Sequence, residues 1–448
     1  MPDFATPERS KGSPLRIAIL VVGTFGDVRP LLALGSGLRG LGHEVTVATH
    51  ELYEEEVRSR RMDFRCITVN PRAVMETSDG LDWLRSQSNP VKTVKAMAAM
   101  LRPVLRQIFD DSWHACQDAD ALICSALCVH GWDIAERLGV PCVFTPLFPL
   151  RRTQSFAAVH APQLPLGPVY NLLTHLAGQQ ISWQPFRDIT NLWRAEELGL
   201  PPEPVWGARR LMGWPDVPVL SGFSEAVLPK PPDWPANHHI TGYWFDFSPV
   251  AAPAAAVVDF VDDGAPPVYV GFGSMADPEP EKLAEVIREA LRRTGRRAVV
   301  ATGWARLPLE TSDKMLVVES VPHEWLFPRV AAAVHHGGSG TIGATLKAGV
   351  PSVVVPYFFD QPLWARRLAQ LGVAARPLPR SKLTAERLAA ALSDVVNDPA
   401  PRGRARAISH RVRCEDGVGS AVRLIDDHIR ASRSGEGRSS TIGSKSRS

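Results

Sequence analysis

Asp27 stands in the stretch Gly23-Thr24-Phe25-Gly26-Asp27-Val28-Arg29-Pro30, where an apolar run hands over to a helical pattern. A carboxylate at such a turn has two uses. It can take the proton of a hydroxyl nucleophile, or it can bind the free amides at a helix start. A second stretch, His335-His336-Gly337-Gly338-Ser339-Gly340-Thr341, follows the apolar run Ala331-Ala332-Ala333-Val334 and opens an alanine-rich helical pattern. Its glycines allow close backbone approach, and the unpaired amides of the helix start form an anion site suited to a diphosphate. The spacing is neither that of a P-loop, since no lysine follows the glycines, nor G-x-G-x-x-G. A third turn, Gly271-Phe272-Gly273-Ser274-Met275, is by itself a tight turn; with the second it adds the Ser274 hydroxyl to the same ligand. Asp360-Gln361, beyond another apolar run, pairs an acceptor with an amide, which suits vicinal hydroxyls, while Asp360 equally fits a helix N-cap.

The elements that must hold these groups follow from the pattern. Apolar runs alternate with amphipathic stretches, as in βαβ units with parallel sheets. The first half reads RIAILVV, a helix through LLALGSGLRGLG, EVTVATH, DALICSA, GWDIAERLG and VPCVFTPL; the second restarts at PPVYVGFGSM and runs through RAVVATGW, MLVVES and AAAVHH. Gly42 and Gly139 sit where left-handed helix caps are expected. From about 145 to 235 the text loosens into a Pro- and Trp-rich segment of the kind that shapes a binding site. The expected fold is α/β, two Rossmann-like parallel-sheet domains facing across a cleft, with ligands at the carboxyl ends of the strands.

Composition excludes several classes. Lys and Arg total 50 against 47 Asp and Glu, a net +3 too balanced to imply nucleic acid. No run of about 20 apolar residues offers a bilayer span, and the N-terminal text lacks a signal region. The six cysteines show no paired metal spacing, which points to a reducing, cytoplasmic setting; Cys124 and Cys128 read as core. Asp118-Ala119-Asp120 reads as a solvated turn rather than a metal site, and no metal is expected. His130, at a helix start, is a second candidate base or a packing residue. The stretch NPVKTVKAMAAMLRPVLRQIF is amphipathic and slightly basic, expected to pack as a helix, with peripheral membrane contact left open.

Taken together, ITGYW, VYVGFGSM, VPHEWLFPRVAAAVHHGGSGT, AGVPSVVVPYFFDQPLWARRL and GTFGDVRPLLALGSGLRGLGHEVTVAT resemble the GT-B nucleotide-sugar glycosyltransferases. The likeness is to the branch of bacterial sterol glucosyltransferases and actinomycete antibiotic glycosyltransferases of the UDP-glycosyltransferase superfamily, and it covers residues 15 to 430. It implies an inverting transfer of a hexose, glucose favoured, from a UDP- or TDP-sugar to a hydroxyl of a lipophilic acceptor such as a sterol, terpenoid or polyketide. Asp27 is then the base, with Gly26 beside the donor. Val321 and His323 cradle the nucleotide base; His336, Gly338, Ser339, Gly340, Thr341 and Ser274 hold the diphosphate; Asp360 and Gln361 read the sugar. The implied division is a disordered 1–14, an acceptor-binding domain 15–230, a linker 231–255, a donor-binding domain 256–411, a returning helix 412–430 and a disordered tail 431–448, in a monomer or weak dimer. Departures from plant relatives are Asp27 in place of a catalytic histidine, Ser125 where its supporting aspartate would stand, Ala344 in place of a ribose-binding glutamate and Ser320 in place of a stacking tryptophan. Trp83, Trp113, Trp132, Trp183, Trp193, Trp206, Trp214, Phe148, Phe156 and Tyr170 are candidates for the acceptor pocket or for core. The alternatives are a nucleotide-sugar 2-epimerase of the same fold and a non-catalytic activator.

Overall fold

A computed structural model describes residues 13–86, 90–207, 217–246 and 252–434. Trp214, most of the 1–14 segment, all but four residues of the 431–448 tail and part of the 231–255 stretch lie outside these residues. The first sheet comprises β1 (Arg16–Leu20), β2 (Glu44–His50), β3 (Asp63–Ile67), β4 (Ala121–Ser125), β5 (Cys142–Thr145), β6 (Val219–Ser221) and β7 (His238–Ile240). The second comprises β8 (Val268–Gly271), β9 (Ala298–Ala301), β10 (Met315–Val318), β11 (Ala332–His335) and β12 (Ser352–Val354). Every ladder is parallel, in the orders β3-β2-β1-β4-β5-β6-β7 and β10-β9-β8-β11-β12. Helices cover both faces, so β4, β8 and β11 are buried throughout, which is why they read as unbroken apolar runs.

Both sheets reverse direction at their centres, between β1 and β4 and between β8 and β11. Connections leaving such neighbouring strands diverge and open a crevice at the strands' carboxyl ends. The Asp27 turn follows β1 and the His336 turn follows β11. Topology therefore delivers both to crevice positions.

Residues 231–255, expected to be linker, instead carry β7, and Tyr243 and Trp244 after it are buried. Three residues are too short to display a strand period, and the flanking prolines hid them. The loosely patterned 145–235 stretch likewise holds two helices, Gly167–Trp183 and Arg187–Glu196. The first is apolar on several sides and so shows little helical periodicity.

The chain returns to the first domain at its end. The helix Pro399–Cys414 lies on the second domain, where Ser409 Oγ donates to the Lys347 carbonyl at 2.6 Å. After a break, the helix Gly417–Ser434 lies along the first helix, Phe25–Gly40. Gly37 permits this: a Cβ there would come within 2.8 Å of Val422 and 3.0 Å of Val418. Val422, Ile425 and Ile429 complete the first domain's core, and Asp426 accepts from or pairs with His43 (3.1 Å) and Arg430 (2.7 Å). The outgoing and returning strands of chain touch at Gly242 and Gly417, where added Cβ atoms would sit 2.9 Å from Glu415 and 2.4 Å from the Tyr243 carbonyl.

Ile425 is fully buried in a core it reaches from the other end of the sequence. Ile425→Ala is expected to cost about 2–5 kcal/mol, read as a lowered urea midpoint of the first domain's unfolding.

Candidate active site

Gly23 has φ +123°, and a Cβ on it would lie 2.6 Å from Asp27 Oδ2. Glycine thus lets the carboxylate fold back, where Oδ2 accepts from the Thr24 amide (2.8 Å) and hydroxyl (3.0 Å). Thr24 is the N-cap of the helix Phe25–Gly40, so Asp27 is the third helical residue closing onto the cap rather than the cap itself. Both capping contacts use Oδ2. Burial raises the Asp27 pKa against the lowering effect of the Thr24 hydrogen bonds. The carboxylate borders a small, mainly apolar pocket with Leu31, Ser125, Leu127, Thr145 and Phe148, while Gly26 beside it is exposed.

His50, at the end of β2, was not among the sequence candidates. Its Nε2 accepts from the Gly23 amide at 3.0 Å, and the Tyr53 hydroxyl donates to the Gly23 carbonyl at 3.4 Å. Burial depresses the His50 pKa and keeps the ring in the neutral, accepting form. A polar residue ending the apolar strand EVTVATH was the available signal. His130, by contrast, is a packing residue: it is buried, bonds Ser112 Oγ at 2.9 Å, lies 4.8 Å from the Phe109 ring and has its pKa driven down to about 3 by burial. Asp120 accepts from the Arg16 amide at 2.9 Å and pairs with Arg433 at 3.1 Å, at the amino end of β4 and away from the cleft. Ser125 lines the pocket, with its side chain beside the Cys128 thiol.

Across the cleft, Gly337 has φ +94° and Gly338 is the N-cap of the helix Ser339–Ala348. The leading amides of that helix, on Ser339, Gly340 and Thr341, have no carbonyl one turn back to bond. The His336 ring lies between two glycine turns. A Cβ on Gly338 would be 2.5 Å from its Nε2, and one on Gly273 (φ +60°) would be 3.4 Å from its Cε1. Its Nδ1 has no partner among the described residues, and burial, aided by His323, lowers its pKa to about 4. A neutral imidazole there carries one N–H, which Nδ1 can donate in one of the two tautomers. The Gly273-Ser274 turn is held from below by the Trp304 amide, which donates to the Gly273 carbonyl at 3.0 Å. His323 stacks on Phe327 (centroids 4.3 Å) with Nε2 3.1 Å from the Tyr269 hydroxyl; beside it Val321 is half-buried.

The loop after β12 completes the site. Phe359 has φ +58°, a conformation uncommon for a bulky residue and held here by packing against Phe148 of the first domain (4.9 Å, edge-on). Phe358 lies 4.3 Å from Trp83. Asp360 occupies the N-cap position of the helix Gln361–Gln370 without capping its amides; Oδ2 instead accepts from the Trp364 indole at 2.9 Å. Burial raises its pKa to about 7, with the charge of Asp27 contributing, so the two carboxyls sense each other across the cleft. Gln361 already has partners within the protein. It is buried, its Oε1 accepts from the Tyr357 amide (2.8 Å), and its Nε2 donates to Met275 Sδ (3.5 Å). Its amide joins the loop to Met275, next to the Gly273-Ser274 turn.

A second missed group anchors the same loop. Asp277 accepts from Nε and Nη2 of Arg380 (2.7 and 2.8 Å) and from the Tyr357 hydroxyl (2.7 Å). Scattered over a hundred positions, these residues left no sequence signal. Of the aromatic candidates, Trp193 is core, Trp113 and Trp132 pack against that core, Trp183 donates to the Val205 carbonyl at 3.1 Å, Phe148 lines the pocket, Phe156 packs near Trp234, Tyr170 donates to the Pro162 carbonyl at 2.6 Å, and Trp206 is exposed.

Residues 17–157 match the Glycosyltransferase family 28 N-terminal domain, and 302–416 match the Erythromycin biosynthesis protein CIII-like, C-terminal domain. The chain is 36% identical over 421 residues to the O-mycaminosyltylonolide 6-deoxyallosyltransferase of Streptomyces fradiae, covering 92% of this chain and 97% of that one. It belongs to the UDP-glycosyltransferase superfamily. This superfamily member is also 33% identical over 454 residues to the sterol 3-beta-glucosyltransferase of Debaryomyces hansenii, covering 96% of its own length and 28% of that protein's. The chain thus spans less than a third of that fungal relative. The glycosyltransferase VinC in complex with DTDP shares the GT-B fold at a TM-score of 0.63 and 20% identity, over 94% of this chain and 100% of that one.

In this superfamily member the Asp277–Arg380 pair is buried, so removing one partner strands a charge. Asp277→Ala is expected to lower stability by about 3–5 kcal/mol, measured by denaturant unfolding, while Arg380→Met with Asp277→Leu recovers much of the loss.

Proposed function

We propose that the protein is an inverting glycosyltransferase that moves a hexose, glucose favoured, from a UDP- or TDP-sugar to a hydroxyl of a lipophilic small molecule in the cytoplasm. The observation that carries this reading is the placing of Asp27, at an apolar pocket, in one domain and of the His336 ring with the amino end of the helix Ser339–Ala348 in the other. Support comes from the S. fradiae and D. hansenii relatives, whose names describe transfer of a deoxyallosyl group to O-mycaminosyltylonolide and of glucose to a sterol, and from the DTDP in complex with VinC.

The acceptor hydroxyl oxygen attacks the anomeric carbon as Asp27 takes its proton. The bond from that carbon to the diphosphate breaks, and the electron pair leaves with the nucleotide diphosphate. A single displacement inverts the anomeric centre. General-base help of this kind contributes about 10²–10⁴-fold, and the raised pKa of Asp27 makes it a stronger base than an exposed carboxylate. His336 and the leading amides of the helix Ser339–Ala348 receive the growing negative charge, with Ser274 on the opposite side. The helix end supplies positive potential, so the reaction as proposed needs no metal. Asp360 accepts from sugar hydroxyls through Oδ1 while Trp364 holds Oδ2. Val321 and His323 border the nucleotide base. Ala344 sits against apolar neighbours and offers no ribose contact, which leaves uridine and thymidine nucleotides both open to the site.

A panel of nucleotide sugars crossed with hydrophobic alcohols is expected to yield a product heavier by one hexose in mass spectrometry. Consumption of donor without acceptor would favour a 2-epimerase instead. Asp27→Asn is expected to abolish turnover and leave calorimetric binding of UDP or TDP intact, whereas His336→Ala weakens that binding about tenfold.

The carboxyls also set a pH signature. The Asp360 pKa rises on folding from 3.8 to about 7, so the native state holds this proton more tightly than the unfolded chain does. Stability of the ligand-free protein should therefore fall as pH rises from about 4 to about 7. Asp360→Asn should flatten that slope in thermal melts.

A further inference from the structure

Among the described residues, no helix is long and apolar enough to cross a membrane. One helix nevertheless turns an apolar face to solvent. On Gly167–Trp183 the buried side carries His175, Gly178 and Gln179, and His175 Nε2 meets the Phe156 carbonyl at 3.1 Å. The opposite side exposes Val169 (71%) and Leu173 (58%), with Leu166 (63%) just before the helix. Leu166, Val169 and Leu173 fall at i, i+3 and i+7, on one face. The stripe continues beyond the helix. Trp183 Nε1 and Gln184 Nε2 both donate to the Val205 carbonyl, at 3.1 and 2.8 Å, and so tie the backbone before Trp206, 70% exposed, to the carboxyl end of the helix.

Charge patterning identifies what this face suits. From Thr153 to Phe186 there is no Asp, Glu, Lys or Arg, although the chain's 22% charged fraction would place about seven there. Arginines bound the segment: Arg152, exposed, on one side and Arg187 on the other. An uncharged apolar stripe with a tryptophan at its edge and cations at its ends complements the acyl and headgroup layers of an anionic bilayer.

We propose that the outer face of the helix Gly167–Trp183, together with Trp206, docks the first domain on a membrane surface containing anionic lipid. The helix is well placed for this. Its inner side packs through Phe156 into the cluster that contains Phe148, which lines the Asp27 pocket. Resting on the reading of a lipophilic acceptor, the arrangement brings the acceptor side of the cleft to the phase in which such a substrate dissolves.

The test is flotation of the full chain with phosphatidylcholine vesicles with or without phosphatidylglycerol. The protein should float with the vesicles, and more so with the anionic lipid. Leu166→Glu/Val169→Glu/Leu173→Glu should reduce the bound fraction at least tenfold, and the milder Trp206→Ala at least threefold. A far-UV circular-dichroism spectrum and a urea midpoint matching the parent's certify the variants' folding. Failure of the parent chain to float would overturn the proposal, as would equal flotation of parent and both variants. A dimer that the triple variant dissociates, without vesicle binding by the parent, would reassign the stripe to self-association. Hexose transfer to a water-soluble alcohol is measured separately, so loss of docking and loss of the transferase reading are distinct results.

Discussion

The site rests on one electrostatic constraint: negative groups must gather in a partly dehydrated cleft without repelling one another apart. In a parallel sheet each strand's carboxyl end leads into a helix's amino end, so the crevice is ringed by the positive ends of helix dipoles. Asp27 lies in the first turn of Phe25–Gly40, and Asp360 precedes the first turn of Gln361–Gln370. The free amides of Ser339–Ala348 remain for the proposed diphosphate. Three helix starts therefore face three negative partners. The raised pKa values of Asp27 and Asp360 show that burial still outweighs this compensation before any ligand arrives.

That arrangement requires two domains to share one cleft. Arg29, two residues beyond Asp27, pairs with Glu324 of the second domain at 2.7 Å, but both are partly exposed and such a pair contributes roughly 1 kcal/mol or less. Firmer attachment comes from Phe148–Phe359 and Trp83–Phe358 contacts and from the terminal helix embedded in the first domain's core. The left-handed Phe359 stores strain immediately before Asp360, where a shift in domain contact would be felt first. Gly242 and Gly417 let the chain's two crossings between domains lie in contact, beside a buried apolar cluster that joins Phe223 and Val227 of the first domain to Trp364 and Leu368 of the second.

The supporting groups divide by distance in the chain. Gly23 and Thr24 shape Asp27 from within four residues, and their pattern could be read as a turn and a helix start. His50 reaches Gly23 from the next strand, and Asp277 reaches Arg380 and Tyr357 from another part of the second domain. No local periodicity marks such partners. Each is an ordinary polar residue until the fold removes its water and supplies its mate.

Local physics determined much from the sequence by itself. Unbroken apolar runs specified two buried parallel sheets and glycine turns after strands marked an anion niche, whereas the roles expected of Asp27 and His336 rested on the resemblance of their motifs to a family. Short β7, the helices hidden in the 145–235 stretch and the inward turn of Gln361 were decided only by tertiary structure. A three-residue strand, a helix apolar on several faces and an amide with competing partners carry no periodic signal. Their outcome depends on which surfaces meet, and contacts between distant segments enter the energy only once the chain has folded.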